Sequence, residues 1–304
     1  MSTSEVVFGF GAHSDIDHGP ELLRMAQQAD RDGLDIFSLS DHPYLGQRLD
    51  AYAALGFILG RTQHISGFAN VTNLPTRPAP MLARTVTSLS ALSGGRVVLG
   101  MGAGGLWDRI AAMGVSPLSP AAAVDAFEEA IVLVKMLSGG GPRVTFHGRY
   151  YRVDGIEPAP VAAPPVWTGS VGPKSLAATG RVADGWIPGH AADWRSERYR
   201  TSRPIIDDAA AAVGRDPREV RTIFNFPGRI TDRPLAATRD ADGRWIGGSV
   251  DQWVEELTGA VLDYGASGFT LFSPDGGAQD IDALGRWGSE IAPAVREAIA
   301  KERG

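Results

Sequence analysis

The sequence alternates short apolar runs with amphipathic helical stretches eight times, without a break in composition. The first predicted strand is Val6–Phe10, the last is Phe269–Phe272, and the final predicted helix is Asp282–Lys301. Strands joined in series by helices form parallel sheets, and eight such units are enough to close a barrel. We therefore predict an α/β protein with a single (β/α)8 TIM barrel over residues 1–304 and insertions in its βα loops. An open doubly wound sheet is the alternative.

The absence of cysteine and the acidic charge balance exclude several classes of function. Without cysteine, the chain has no disulfides, thiolate metal sites or cysteine nucleophile. A net charge of −6 and the lack of any Lys/Arg run argue against nucleic acid as a partner. No apolar segment reaches the length of about 18 residues that spans a membrane, and the start lacks a secretory pattern. We expect a cytoplasmic protein with no membrane partner.

Ser40-Asp41-His42-Pro43 directly follows the predicted strand Ile36–Leu39. Proline has no backbone N–H and restricts the preceding residue, so the strand must end here. In parallel α/β proteins, sites are built at the carboxyl ends of strands. An aspartate can orient a neighbouring histidine and raise its basicity, which suits proton transfer near neutral pH. On residues alone, a turn capped by Asp41 beside an exposed His42 is an equal alternative.

Two glycine-rich loops follow later predicted strands. Gly100-x-Gly102-x-x-Gly105 formally matches the dinucleotide fingerprint, but it follows the fourth strand, and the acid at about the right spacing, Asp125, lies in a helix. We interpret these glycines as allowing a planar ligand to approach the backbone; a flexible turn is the alternative. Gly169–Lys174 precedes a helix whose N–H groups could bind phosphate, with Lys174 adding charge; an ordinary βα turn is the alternative.

His13-x-Asp15-x-Asp17-His18 follows the first predicted strand and could ligate a divalent metal, as in barrel hydrolases. Such a site needs further ligands from later strand ends, and the fifth strand ends in Trp167-Thr168. We therefore predict no metal and interpret the stretch as a polar rim loop that contacts substrate. A metal-dependent barrel hydrolase stays open as an alternative from another class.

Taken together, five motifs resemble the luciferase-like monooxygenase superfamily of flavin- and deazaflavin-dependent barrel oxidoreductases. The motifs are Ser40-Asp41-His42, Asn70–Pro75, Leu92–Gly104, Trp167–Lys174 and Ala183–Gly189. The resemblance covers almost the whole chain in order. It implies a bacterial luciferase-like barrel with a ring-shaped cofactor at the mouth.

The resemblance implies that Asp41 binds the cofactor and that His42 faces the substrate carbon as proton donor or acceptor. It places a non-prolyl cis peptide at Asn70-Val71, behind the central ring. The other implied cofactor contacts are Gly102, Ala103, Gly104, Gly169, Ser170, Val171, Gly172 and Lys174. Substrate contacts are expected from the loops that carry His13 and Tyr44, and the Gly/Pro-marked stretch 227–248 is expected to form a mobile lid.

We expect hydride transfer between coenzyme F420, a deazaflavin, and a small organic substrate. The alternative is an FMN-dependent monooxygenase that uses O2 and reduced flavin from a separate reductase. A sugar-phosphate dehydrogenase of this family carries a glutamate where this chain has Gly105. A two-residue acid/base scheme is therefore in doubt, and a non-catalytic flavin-binding protein is a third possibility. The resemblance also implies a homodimer.

Overall fold

The structure, a computed structural model, describes residues 6–12, 14–189, 192–277 and 279–303. The strands are β1 (Val7–Ala12), β2 (Ile36–Leu39), β3 (Ser66–Ala69), β4 (Thr72–Asn73), β5 (Leu99–Gly102), β6 (Val144–His147), β7 (Arg152–Ile156), β8 (Val166–Thr168), β9 (Gly185–Trp186), β10 (Arg221–Pro227), β11 (Arg229–Ile230), β12 (Gly247–Gly248) and β13 (Gly268–Phe272). The helices are α1 (Gly19–Arg31), α2 (Ala51–Leu59), α3 (Ala79–Ser93), α4 (Trp107–Ala112), α5 (Pro120–Met136), α6 (Pro173–Val182), α7 (Glu197–Ala212), α8 (Val250–Tyr264), α9 (Ile281–Arg286) and α10 (Ala292–Arg303).

The main sheet is parallel, and its strand order is β3-β2-β1-β13-β10-β9-β8-β5-β4. The two strands at the ends of this order, β3 and β4, are separated in the chain only by Asn70-Val71. A bridge between Gly67 and Val97 also joins β3 to the segment before β5. The sheet therefore closes into an eight-unit barrel, in which β3 and β4 together are the third strand. The predicted TIM barrel is confirmed.

Two apolar layers hold the barrel together. Its interior is filled by the cluster Val7, Ile36, Phe68, Val98, Trp167, Ile187 and Ile223. Phe68 and Trp167 meet edge to face, with ring centroids 5.4 Å apart. A larger layer lies between strands and helices, where the Trp287 indole donates to the Gly9 carbonyl at 2.9 Å. Because successive strand residues point to opposite faces, each strand contributes to both layers.

Most predicted elements are present, with shifts at their ends. Helix α7 begins at Glu197, because the Ser196 hydroxyl accepts from the Tyr199 N–H and caps it there. Strands β6 and β7 pair as an antiparallel hairpin outside the main sheet. The last predicted helix is interrupted by a π-helical turn, Trp287–Ile291. Across the described ranges, every helix is too short or too polar to cross a membrane.

Candidate active site

The predicted site residues follow strands that are neighbours in the barrel. The Asn70 N–H donates to the Leu39 carbonyl at 2.7 Å, which places the end of β3 beside the end of β2. Asn73 pairs with Gly102 in the β4–β5 ladder. The Gly169 N–H donates to the Met101 carbonyl at 3.1 Å, which aligns the ends of β5 and β8. Four predicted clusters therefore lie side by side at the carboxyl edge of the barrel.

His42 is half-buried at this edge and contacts Tyr44. Its Nδ1 lies 2.7 Å from the Tyr44 hydroxyl oxygen. Burial lowers the pKa of His42; the negative charge of Asp41 opposes this effect, and the positive charge of Arg48 adds to it. Burial raises the pKa of Tyr44, with Arg109 opposing. Near pH 7 the pair is therefore a neutral imidazole beside a protonated phenol.

Asp41 is buried, and its carboxylate is bound by Arg77 and not by His42. Arg77 Nε donates to Asp41 Oδ2 and Nη2 donates to Oδ1, both at 2.8 Å. The Asn73 backbone N–H donates to Oδ2 at 3.0 Å. This bidentate geometry is the strong form of an arginine–carboxylate pair. Asp41 thus acts on His42 through its charge, while its oxygens join the loop after β2 to β4 and Arg77.

Arg77 extends this connection to the start of α2. Its Nη2 also donates to Asp50 Oδ2 at 2.7 Å, and Asp50 caps α2 by accepting from the Ala53 N–H. The guanidinium lies 4.7 Å from the centre of the Tyr52 ring, a cation–π contact. The Tyr52 and Thr72 hydroxyls are 2.7 Å apart. Arg77 is not among the site residues predicted from the sequence, and the one signal for it is that a buried aspartate requires a cation.

The peptide bond between Asn70 and Val71 is cis, as the family resemblance implies. The Val71 side chain lies between two of the predicted glycines. A Cβ at Gly102 would come within 2.7 Å of Val71 Cγ2, and a Cβ at Gly169 would come within 3.2 Å of both methyl groups. Gly104 has φ +99°, and a Cβ there would be 2.7 Å from the Pro75 ring. These positions therefore need glycine for packing and backbone geometry, as well as for any ligand.

A polar layer crosses the barrel above the apolar interior. Asn70 Nδ2 donates to Asn225 Oδ1 at 3.0 Å and to Ser38 Oγ at 3.3 Å, and the Thr270 hydroxyl donates to Asn225 Oδ1 at 2.8 Å. Ser38, Asn225 and Thr270 each interrupt an apolar strand, two positions after a residue of the interior face. This signal was present in the sequence and was not used. The layer fixes the Asn70 amide from below.

Within the Gly169–Lys174 loop, Val171, Pro173 and Lys174 are exposed, and 60% of Val171 is open to solvent. The Ser170 hydroxyl is buried and accepts from Thr179 Oγ1 at 2.9 Å, while the Trp186 indole donates to the Ser170 carbonyl at 2.9 Å. Trp186 is fully buried and packs in the core. Of this loop, the stretch around Gly172 at the start of α6 is open to a ligand.

Lys174 is held away from this opening by α5. Its ammonium lies 2.5 Å from Asp125 Oδ1 and 3.0 Å from the Ala121 carbonyl. Asp125, the acid at about the spacing of a dinucleotide fingerprint, therefore serves as an ion-pair partner. Both side chains are more than a third exposed, so the pair is weak and the lysine can exchange partners.

The loop after β1 contains the proposed metal ligands of the hydrolase alternative. His13 lies outside the described residues. Asp15 pairs with Arg48 at 3.2 Å, and both line a cavity of about 290 Å³ together with His18. In residues 6–12, 14–189, 192–277 and 279–303, no group of three or more His, Asp or Glu side chains is arranged to hold a metal ion.

The stretch predicted as a mobile lid is anchored at several points. β11 and β12 pair with each other, and Arg239 forms ion pairs with Asp193 at 2.6 Å and Glu256 at 2.5 Å. The Trp245 ring stacks on Phe226 with centroids 5.9 Å apart. These contacts favour a fixed loop over the lid expected from its glycines and prolines.

The model of the luciferase-like monooxygenase family matches residues 5–297, and the chain belongs to this family. An F420-dependent glucose-6-phosphate dehydrogenase of Nakamurella multipartita is 27% identical, covering 99% of this chain and 100% of that protein. An F420-dependent hydroxymycolic acid dehydrogenase of Mycobacterium tuberculosis is 31% identical over 76% of this chain and 65% of its own length. The coenzyme F420-dependent tetrahydromethanopterin reductase of Methanopyrus kandleri has the same fold, with a TM-score of 0.77, 19% identity, and coverage of 95% and 99%.

Proposed function

We propose that the protein is an oxidoreductase that transfers a hydride between coenzyme F420 and a small organic substrate, with His42 handling the accompanying proton. The observation that carries this proposal is a half-buried imidazole of lowered pKa at the barrel mouth, next to strand ends that bear few side chains. The two relatives described above are F420-dependent, which supports the same cofactor.

The residues at the mouth fit a flat ring with a phosphate-bearing tail. Val71 offers an apolar surface between Gly102 and Gly169, where a Cβ on either glycine would press against its methyl groups. We assign the Gly102–Gly104 turn to the cofactor side chain and the first N–H groups of α6, after Gly172, to its phosphate. When bound, the deazaflavin supplies the carbon that gives or takes the hydride.

The contacts of Asp41 favour a supporting role over direct binding of the cofactor. Its side chain is 1% exposed, and three donors already occupy its two oxygens. We propose that Asp41 fixes the loop that carries His42 and supplies a negative charge behind the imidazole. Tyr44, and His13 if its loop reaches the mouth, are proposed to contact the substrate.

We further propose one barrel domain over residues 1–304, a cytoplasmic location and a homodimer. The dimer is supported by apolar side chains on neighbouring barrel-side helices: Phe57 on α2 is 56% exposed, and Met81 and Leu92 on α3 are 63% and 87% exposed. Exposed apolar surface of this kind marks association sites. Size-exclusion chromatography with light scattering measures the oligomeric state. We expect the mass of a dimer for the wild type and a shift toward the monomer for Met81→Lys.

Parallel titrations of the purified protein with F420 and with FMN test the cofactor. We expect binding of F420, and tight binding of FMN with no deazaflavin binding would instead support the FMN-dependent monooxygenase. His42→Ala should lower kcat by a factor of roughly 10²–10⁴, as expected for the loss of a general acid or base. The affinity for the cofactor should stay nearly unchanged. His147→Ala, in the exposed β6–β7 hairpin, is the matched control and should change neither.

A further inference from the structure

We infer that Tyr44 keeps the proton of neutral His42 on Nε2 by donating its phenolic hydrogen bond to Nδ1, so that the resting site is set to deliver a proton to the substrate. This inference rests on the proposed function. It makes Tyr44 a positioning residue that acts through His42.

The geometry defines a single strong hydrogen bond between the two side chains. Nδ1 and the phenol oxygen are 2.7 Å apart, a usual distance for an O–H donor. Among the described residues, the Tyr44 hydroxyl has no other side-chain partner, and His42 Nε2 has none. A phenol is a better donor than a neutral imidazole N–H, and an imidazole nitrogen is a better acceptor than a phenol oxygen. The bond therefore runs from Tyr44 to Nδ1.

The identity of the partner on Nδ1 decides what Nε2 can do. A carboxylate at that position accepts from Nδ1–H and leaves Nε2 as a base. Here the neighbouring carboxylate of Asp41 is occupied by Arg77 and Asn73, and the group on Nδ1 is a donor. Nε2 consequently carries the hydrogen and serves as an acid.

The surrounding charges are compatible with this proton arrangement. Arg48 and the buried setting keep the ring of His42 neutral against the charge of Asp41. Burial raises the pKa of Tyr44 and the charge of Asp41 adds to this effect, so the phenol is protonated at rest, while the positive charge of Arg109 opposes the shift. A proton that leaves Nε2 can therefore be replaced at Nδ1 from Tyr44.

The step balances without a further reactant. A substrate double bond between carbon and oxygen or nitrogen receives the hydride, with its two electrons, at carbon, and reduced F420 of the proposed function is oxidised. The heteroatom receives the proton from His42 Nε2, and Nδ1 takes the phenolic proton of Tyr44. The phenolate of Tyr44 then regains a proton from solvent, and neither side chain changes oxidation state.

The tautomer is measured by ¹⁵N NMR of protein labelled in histidine, with His42→Gln assigning the resonance among the six histidines. Above the pKa of the ring, we expect hydrogen on Nε2 and an unprotonated Nδ1 in the wild type. In Tyr44→Phe, we expect the signals to move toward a mixture of both tautomers. Hydrogen on Nδ1 in the wild type would overturn the inference. This measurement needs no cofactor, so it is independent of the failure of the proposed function.

The kinetic test compares the two directions of hydride transfer. Tyr44→Phe should lower kcat/KM about tenfold or more, by the same factor for substrate reduction and for oxidation of the alcohol or amine, because a catalyst leaves the equilibrium constant unchanged. Tyr264→Phe, at the exposed end of α8, is the matched control and should leave both directions unchanged. No loss in Tyr44→Phe, in either direction, would contradict the assignment.

Discussion

Replacing Arg77 by methionine tests whether the Asp41–Arg77 pair organises the mouth of the barrel. The Asp41 side chain is 1% exposed and that of Arg77 is 19% exposed, so the variant leaves a carboxylate buried without its cation. Removing one partner of a buried pair costs about 3–5 kcal/mol. Asp41 keeps the N–H of Asn73, which places the expected loss near the lower end, at about 3 kcal/mol.

A second substitution separates the buried charge from the lost packing. Asp41→Asn in the Arg77→Met background removes the unpaired charge, while the Asn73 N–H can still be bonded. The double variant should therefore be more stable than Arg77→Met alone. Arg218→Met is the matched control, since the Arg218 side chain is 90% exposed and its pair with Asp216 should not be measurable in stability.

Urea unfolding followed by tryptophan fluorescence and circular dichroism gives the free energies of unfolding for the four proteins. A loss of less than about 1 kcal/mol in Arg77→Met, the level of an exposed pair, would contradict a structural role for the Asp41–Arg77 pair. A further loss of stability when Asp41→Asn is added to Arg77→Met would contradict it as well.

Three more predictions concern residues of the same edge. Because burial lowers the folded-state pKa of His42, the unfolded chain binds the proton first as pH falls below the usual histidine value near 6.5, so stability should decline there. Urea midpoints at pH 7.5 and 5.5 should differ more for wild type than for His42→Asn. Gly104→Ala should lower the free energy of unfolding by about 1–3 kcal/mol, because Gly104 has a positive φ and a Cβ there would contact the Pro75 ring. Gly105→Ala is the control: a Cβ there meets nothing within 4 Å, so its effect should stay within about 0.5 kcal/mol. Thermal unfolding measures both variants. Asp125→Asn should strengthen binding of the cofactor phosphate, because it frees Lys174 to turn toward the loop, and Lys174→Met should weaken it. Calorimetric titration measures both affinities. Affinities equal to that of the wild type would show that Lys174 serves only α5.

The barrel was predictable because its signals are local. Most strands are short apolar runs followed closely by polar residues, glycine or proline, and the Asp41-His42 pair lies at one of those ends. The break of the third strand at Asn70-Val71 is invisible to periodicity, and only the family resemblance indicated it. Local pattern thus gives the order of elements and the edge that carries the site.

The contacts within the site depended on register and could not be read from spacing. Arg77 and Asp41 are 36 residues apart in the chain and meet because the loop after β2 lies beside β4. Tyr44 is two residues from His42, yet their hydrogen bond depends on the turn at Pro43. Gly102 was interpreted through a ligand, and its contact with Val71 appeared only when two non-adjacent segments were placed together.

The third strand of the barrel is divided into β3 and β4 at Asn70-Val71. β3 pairs with β2 and bridges through Gly67 to Val97 before β5, and β4 pairs with β5, so the third strand is interrupted at Asn70-Val71, where the proposed ring would rest. The hydrogen bond from the Asn73 N–H to Asp41 joins β4 to the loop after β2. A ligand that packs against Val71 would contact the third strand at this interruption, so ligand binding should also stabilise the closed barrel.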